Sequence, residues 1–193
     1  MELREAINGR RSVRKFKADA ISPQDIKEIV EAGIMAPSGT NIQPWYFIAV
    51  SNPDALSELR EIASTGALVF REALEKRFPD HPEVVASTTN FIGSLGQAPF
   101  VVLAFMRSPK PEDKNNAAVQ SVAAAIENMI LTAYEKGIGS CWMTSLSDGA
   151  AAEAIHERFA PDRGEFLALV TFGYPDQEPK CPKRKDDRVE YIF

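Results

Sequence analysis

Cysteine and histidine are scarce in this chain. Its 193 residues include two cysteines, Cys141 and Cys181, and two histidines, His81 and His156. Two cysteines are too few for a disulfide framework, so the composition favours a reducing compartment and predicts a cytoplasmic protein. The two histidines are separated and lack the spacing of metal ligands, and we therefore predict no metal site.

Long apolar segments are missing as well. The longest runs, such as residues 100–105, are far too short to cross a bilayer, and the N-terminus has no apolar stretch of the kind found in secretion signals. We therefore predict no membrane association. The formal net charge of -5 argues against nucleic acid as a partner.

Two basic clusters nevertheless lie near opposite ends of the chain. The sequence has no glycine-rich phosphate loop or dinucleotide fingerprint, so any grip on a nucleotide must rest on side chains. Arginine suits this role because its planar guanidinium makes bidentate contacts to phosphate oxygens. The clusters are either solvated surface or two halves of one site for a small anion. They comprise Arg10, Arg11, Arg14, Lys15 and Lys17 at one end, and Lys180, Lys183, Arg184 and Lys185 at the other.

Apolar patterning and capping signals predict one domain over residues 1–193, of α/β or α+β class. Ser22 followed by Pro23 marks a helix start, and this helix should end before Pro37. The apolar circumference of a long helix over residues 116–136 predicts burial on most sides, part of it in a dimer interface. Further predicted helices cover residues 53–64 and about 147–159. The mixed region at 65–97 should hold a helix with a lid-like stretch around residues 78–82. Predicted strands cover residues 46–50, 100–105, 166–172 and 189–193, with a short apolar segment at 140–143.

A loop rich in small polar residues, at residues 36–45, follows the predicted helix that begins at Pro23. Pro37, Ser38 and Gly39 form a slim backbone that a flat ring could approach. Asn41 offers both a donor and an acceptor to the polar edge of such a ring. For each residue taken alone, ordinary turn chemistry is the alternative explanation.

Five segments, in order along the chain, resemble the FMN-dependent nitroreductase family. The first, second and fourth are specific, and the other two are weak when taken alone. The segments are Arg-Arg-Ser-Val-Arg-Lys-Phe at 10–16, Ala-Pro-Ser-Gly-Thr-Asn-Ile-Gln-Pro-Trp at 36–45, Ala-Pro-Phe-Val-Val at 98–102, Gly-Ile-Gly-Ser-Cys-Trp at 137–142, and Phe-Gly-Tyr-Pro at 172–175 followed by Lys-Arg at 183–184.

This resemblance implies a nitroreductase-like α+β fold, in which helices surround a mixed, mostly antiparallel sheet and a long core helix lies at a homodimer interface. FMN would be bound at that interface, with Arg10 toward its phosphate and Arg14 near its N1/O2 edge. Among the tail cations, Arg184 is the first choice for the phosphate. The implied FMN-binding residues are Arg10, Arg11, Ser12, Arg14, Lys183 and Arg184 with Pro37, Ser38, Gly39 and Asn41 of the other subunit, and Met143, Thr144 and Ser145 along the ring near N5.

The implied reaction is ping-pong hydride transfer from NADH or NADPH, through flavin N5, to nitroaromatic, quinone or similar small acceptors. The flavin carries this chemistry and no side-chain catalyst is required. Arg14 would favour the anionic reduced flavin, and a backbone N–H of Thr144 or Ser145 would bond to N5. Two alternatives stay open: a same-fold flavin enzyme with another reaction (dehalogenation, flavin fragmentation or azoline oxidation), or a flavin-binding protein with little turnover.

Overall fold

The computed structural model describes residues 1–107 and 116–193. Within these ranges, four strands form one sheet, in the spatial order first, second, fourth, third. The three strand pairs of this sheet are antiparallel, and a parallel bridge joins Ser12 to Ser140 at one edge. The strands are β1 (Trp45–Val50), β2 (Phe100–Met106), β3 (Gly139–Met143) and β4 (Glu165–Gly173).

Six α-helices surround the sheet in the described part of the chain, and none of them is long and apolar enough to cross a membrane. Local signals set several of their starts. Ser22 Oγ accepts from Asp25 N at 3.0 Å, and Asn52 Oδ1 accepts from Ala55 N at 3.0 Å. In both cases a proline follows at the first helical position, where its missing N–H costs no bond. The helices are α1 (Leu3–Gly9), α2 (Pro23–Ile34), α3 (Pro53–Arg77), α4 (Pro82–Ser94), α5 (Asn116–Glu135) and α6 (Gly149–Phe159).

Strand β2 lies at the centre of three layers. Phe100, Val102, Ala104 and Met106 point into an apolar cluster formed with α2 and α5. The alternate residues of β2 point into a second cluster, formed with α3, α4 and α6. Because helices cover both of its faces, β2 is apolar throughout rather than alternating. This arrangement confirms the predicted α+β class, with a largely antiparallel sheet surrounded by helices.

Two sequence-based expectations about elements were wrong. The helix expected to end near residue 64 continues to Arg77, so that α3 and α4 together fill most of residues 65–97. Gly66 lies inside α3 and does not end the helix. A Cβ at this position would be 2.6 Å from Leu146 Cδ2 and 2.8 Å from Ala151 Cβ, so the absence of a side chain permits α6 to pack closely. Residues 189–193 are exposed and form no strand, and they do not pair with the four strands of the described sheet.

Helix α5 was predicted to be buried on most sides, with part of this burial in a dimer interface, and within one chain the structure fully buries one side. Ile126 and Met129 are almost completely covered by the sheet and α2. Elsewhere on the helix, Ala123 and Leu131 are half-buried, and Val119, near its start, is 45% exposed. Part of the apolar surface of α5 is therefore left uncovered by the residues that the structure describes.

A three-residue ion cluster joins the start of α2 to the end of α5. Lys136 Nζ donates to Asp25 Oδ1 at 2.9 Å and also contacts Glu28. Hydrogen bonds from Ser22 and Lys136 lower the pKa of Asp25, and those from Lys136 and Gln24 lower the pKa of Glu28. The folded state therefore binds fewer protons at these carboxylates than the unfolded state does.

Replacing Lys136 with methionine should flatten the acid limb of the stability curve. In the parent, the cluster's contribution is present above the ordinary carboxylate pKa of about 4 and is lost as pH falls through the lowered values. The variant should therefore melt at a lower temperature at pH 7 and differ much less from the parent at pH 3. Thermal melts across this range measure the effect, with Lys27→Met as the control because Lys27 pairs with Glu31 on the exposed side of α2. Equal losses at both pH values would contradict the assignment.

Candidate functional site

The basic segment of residues 10–16 is extended and runs along the edge of the sheet. Val13 N donates to Ser140 O, and Lys17 N donates to Tyr174 O, both at 2.9 Å. These bonds hold the segment between the start of β3 and the chain that follows β4. The fold thus fixes the backbone from which the predicted cofactor-binding cations extend.

A cavity of about 280 Å³, which we call the basic cavity, joins this segment to the C-terminal tail. Of the eight described residues that line it, five are cationic and none carries a carboxylate, so the cavity favours an anion. The two basic ends of the chain do converge, as the sequence suggested. The lining residues are Arg10, Arg11, Ser12, Arg14, Pro179, Lys180, Pro182 and Arg184.

The structure distinguishes among the tail cations. Arg184 and Lys180 line the basic cavity, whereas Lys183 does not, and its ammonium lies 3.9 Å from Asp186 Oδ2. Lys180 was missing from the predicted binding residues. Its membership of the second basic cluster was the only sequence signal for it, and that signal did not separate it from its neighbours.

The arginines of the basic cavity differ in how they are held. Arg11 Nη1 donates to the carbonyls of Asn8 and Arg10, at 2.7 and 2.6 Å, so its guanidinium folds back on the end of α1. Arg10 Nε lies 3.9 Å from Glu127 Oε1, a loose pair that leaves its other N–H groups available. Among the described residues, no carboxylate forms an ion pair with Arg14. Arg10 and Arg14 are therefore better placed than Arg11 to contact a ligand.

Cys141 lies on β3 and is 4% exposed. Burial raises the pKa of its thiol, and the nearby Arg14, Ser12 and Arg10 offset this only in part. A thiol that stays protonated is a poor nucleophile. Cys141 is accordingly a small packing residue beneath the basic segment, as the sequence indicated.

The polar loop forms a tight, exposed turn after α2. Ser38 Oγ accepts from Gln43 N at 3.0 Å, and Gln43 Nε2 donates to Asn41 Oδ1 at 3.1 Å. Thr40, Asn41 and Gln43 have φ values of 49°, 58° and 46°, which lie in the left-handed region that non-glycine residues rarely adopt. Such strained backbone concentrates at functional sites.

Within one chain, the polar loop and the basic cavity are separate. None of Pro37, Ser38, Gly39 and Asn41 is among the described residues that line the cavity. The loop instead faces the start of α5, where a Cβ on Gly39 would lie 3.8 Å from Ala117 Cβ. The structure therefore does not bring the two predicted halves of the site together in a single subunit.

Residues 143–145 leave the end of β3. Met143 is buried, Ser145 is half-buried and Thr144 is exposed. The carbonyl of Thr144 accepts from both Ser147 N, at 3.1 Å, and Ser147 Oγ, at 2.7 Å. This turn is fixed locally, and none of its three residues lines the basic cavity as the structure describes it.

A second cavity, of about 530 Å³, lies on the other side of Arg14 and is called the polar cleft. Helix α4 supplies much of its wall, a contribution that the sequence analysis missed. The Ser-Thr-Thr-Asn run at residues 87–90, just before Phe91, was the available signal. The cleft is lined by Arg14, Lys15, Phe16, Ser87, Thr88, Asn90, Phe91, Ser94, Gly96, Gln97, Asp176 and Gln177.

A larger cavity, of about 800 Å³, shares Arg10 and Arg11 with the basic cavity. Its walls also include the carboxylates of Glu135, Asp176 and Glu178, so it is less suited to an anion. The smaller basic cavity is therefore the better candidate for an anionic group such as a phosphate. Within the described ranges, no group of three or more Asp, Glu, His or Cys side chains lies close enough together to bind a metal ion.

Comparison with known proteins gives one consistent result. The sequence profile of the nitroreductase family matches residues 7–174. YfhC of Bacillus subtilis, which carries the provisional name NAD(P)H nitroreductase, is 31% identical over 192 residues, which cover 98% of this chain and 92% of that protein. Iodotyrosine deiodinase 1 of Mus musculus is 26% identical and aligns with all of this chain and 68% of its own length.

Solved structures agree with these sequence matches. A nitroreductase of Bacteroides fragilis with bound FMN superposes with a TM-score of 0.77 at 27% identity, with both chains fully covered. A BluB-like flavoprotein of Clostridium difficile superposes with a TM-score of 0.75 at 28% identity, also over the whole of both chains.

Proposed function

Because the chain belongs to the nitroreductase family, we propose that it is an FMN-dependent oxidoreductase. It takes reducing equivalents from NADH or NADPH and passes them to a small oxidised acceptor, a nitroaromatic or a quinone. The membership supports a flavoprotein oxidoreductase. The particular acceptor is the more specific part of the proposal.

The basic cavity is the observation that carries this proposal. It gathers five cations and the Ser12 hydroxyl, and no carboxylate is among the described residues that line it, which fits the dianionic phosphate of FMN. At about 4 Å and an effective dielectric near 20, each guanidinium–phosphate pair gains roughly 4 kcal/mol before desolvation. Arg10, Ser12 and Arg184 would hold the phosphate, with Lys180 as an added cation.

When bound, FMN supplies the redox chemistry, since its N5 exchanges hydride with the nicotinamide and then with the acceptor in separate half-reactions. The protein's part is to bind and orient. Arg14 would place a positive charge near the N1/O2 edge, and the turn at Met143, Thr144 and Ser145 would lie along the ring near N5. No side chain of this chain is required as a general base.

We further propose that the active form is a homodimer with each FMN shared between subunits. The separation of the polar loop from the basic cavity supports this, since Pro37, Ser38, Gly39 and Asn41 would reach the cofactor from the other subunit. Exposed apolar surface also supports it. Ile192, among the apolar residues that end the chain, is 91% exposed, and Val119 is exposed on α5. An interface between subunits would remove such surface from water.

A second reaction is reductive dehalogenation of a halogenated aromatic. The relatives named iodotyrosine deiodinase, including the one from Thermotoga neapolitana at 25% identity, favour it over the other same-fold reactions. Both candidate reactions use the same reduced cofactor and differ only in the acceptor. Halide release from an iodinated phenol, compared with consumption of a nitroaromatic, separates them.

Anaerobic reduction of the bound cofactor tests the proposed function. The purified protein should be yellow, and NADH or NADPH should bleach its absorbance near 450 nm, the usual flavin band. Addition of a nitroaromatic or quinone should restore the colour, and steady-state rates should give parallel double-reciprocal lines. The expected turnover lies within the ordinary enzyme range of about 1 to 1,000 per second.

Two outcomes would count against the proposal in different ways. A colourless protein that does not bind added FMN would overturn the cofactor assignment. A yellow protein that neither nicotinamide reduces would overturn the oxidoreductase assignment and favour a flavin-binding protein with little turnover.

A further inference from the structure

Arg14 lines both the basic cavity and the polar cleft. Among the described residues, no carboxylate forms an ion pair that would hold its guanidinium in place. The guanidinium carbon instead lies 5.8 Å from the centroid of the Phe91 ring, within the range of a cation–π contact. Phe91 is 7% exposed and belongs to the apolar cluster beneath α4, so its ring is a rigid platform.

The backbone of Arg14 is held from two further directions. Its N–H donates to Gln177 Oε1 at 3.3 Å. Its carbonyl lies against the turn that ends α4, where Leu95, Gly96 and Gln97 have φ values of 51°, 62° and 56°. A Cβ on Gly96 would lie 2.8 Å from Arg14 O and 3.0 Å from Phe91 Cε2. The turn thus presses on Arg14 and Phe91 together, which fixes their relative position.

We propose that Phe91 is a positioning residue that holds the Arg14 guanidinium at the cofactor and so tunes the redox balance of bound FMN. The inference rests on the proposed function, because it takes Arg14 to lie at the N1/O2 edge. Negative charge builds up at that edge on reduction, and a fixed cation stabilises the reduced form more than the oxidised form. A guanidinium that left the Phe91 ring and moved freely in solvent would do so less well.

The test measures the midpoint potential and the FMN dissociation constant of five proteins: the parent, Phe91→Leu, Phe91→Tyr, Arg14→Gln and the double variant of Phe91→Leu with Arg14→Gln. Leucine keeps apolar volume but removes the π face. We expect Phe91→Leu to lower the preference for reduced over oxidised FMN about tenfold, which makes the midpoint potential about 30 mV more negative for a two-electron couple. Phe91→Tyr, which keeps the aromatic face, should stay near the parent value.

The double variant separates positioning from packing. If Phe91 acts through Arg14, then Phe91→Leu should leave the potential unchanged in the Arg14→Gln background. A shift of the same size in both backgrounds would overturn the inference, as would no shift in Phe91→Leu when Phe91→Tyr and the parent agree. Should the leucine variant fail to fold, the comparison of Phe91→Tyr with Phe91→Met tests the same dependence, because methionine also lacks an aromatic face. Failure of the parent to bind FMN would instead reject the proposed function.

Discussion

FMN affinity is expected to fall about 10- to 100-fold when Arg184 is replaced by glutamine, whereas riboflavin affinity should change by less than about twofold. Arg184 reaches the basic cavity from the tail and would donate charge-assisted hydrogen bonds to the phosphate. A hydrogen bond to a charged group is worth about 1.5–3 kcal/mol, and each 1.4 kcal/mol is a factor of ten in affinity. Riboflavin lacks the phosphate and should not sense the change.

Lys185→Gln is the matched control, since it removes one positive charge from the next residue of the same tail. Lys185 is not among the described residues that line the basic cavity. Titrations of apoprotein with FMN and riboflavin, followed by quenching of flavin fluorescence, give all the constants needed. Equal losses for Arg184→Gln and Lys185→Gln would mean that net charge, rather than a specific contact, attracts the cofactor. Equal losses for FMN and riboflavin would place Arg184 away from the phosphate.

Much of the fold and part of the candidate site could be predicted from the sequence, because the signals are local. Ser22 and Pro23 indicate where α2 begins. The apolar stretch around residues 100–105 is predicted as a strand because nothing polar interrupts it, and in the structure helices cover both of its faces. The density of arginine at residues 10–14 likewise predicts an anion site without any knowledge of the fold.

The missed features depend on contacts between distant parts of the chain. Gly66 resembles a helix breaker until Leu146 and Ala151 are seen to occupy the space of its absent side chain. The sequence could not show whether Lys180, Lys183 or Arg184 enters the basic cavity, because this depends on the path of an irregular tail. No single-sequence pattern links Phe91 to Arg14, since their contact arises only when α4 packs against the basic segment.

Mixing two inactive variants should restore about one quarter of the FMN sites, if each site is shared between subunits. One variant, Arg184→Glu, spoils the basic cavity, and the other, Gly39→Trp, spoils the polar loop. In a heterodimer both defects fall on one site and the other site is intact. Random assembly makes about half of the dimers mixed, each with one working site of two, and so gives about one quarter of the parent's sites.

Gly39→Trp is chosen because the structure leaves room for a Cβ at this position. Gly39 is exposed and does not have a positive φ, and the nearest atom to a Cβ there is Ala117 Cβ at 3.8 Å, an ordinary van der Waals distance. Its effect on FMN would therefore come from blocking the ring rather than from unfolding, which thermal melts can verify. If both variants fold normally, their subunits can form mixed dimers, and restored FMN binding can then be attributed to the intact site of those dimers.

Coexpression of the two variants with different affinity tags, followed by purification through both tags, isolates the mixed dimers. These should carry about one FMN per dimer, compared with two in the parent and close to none in either variant alone. Mixed dimers without FMN would mean that Gly39 and Arg184 serve the same site from the same subunit. A protein that stays monomeric at assay concentration, yet binds FMN fully, would reject the shared site altogether. Recovery would instead tie the polar loop of one subunit to the basic cavity of the other, the connection that a single chain leaves open.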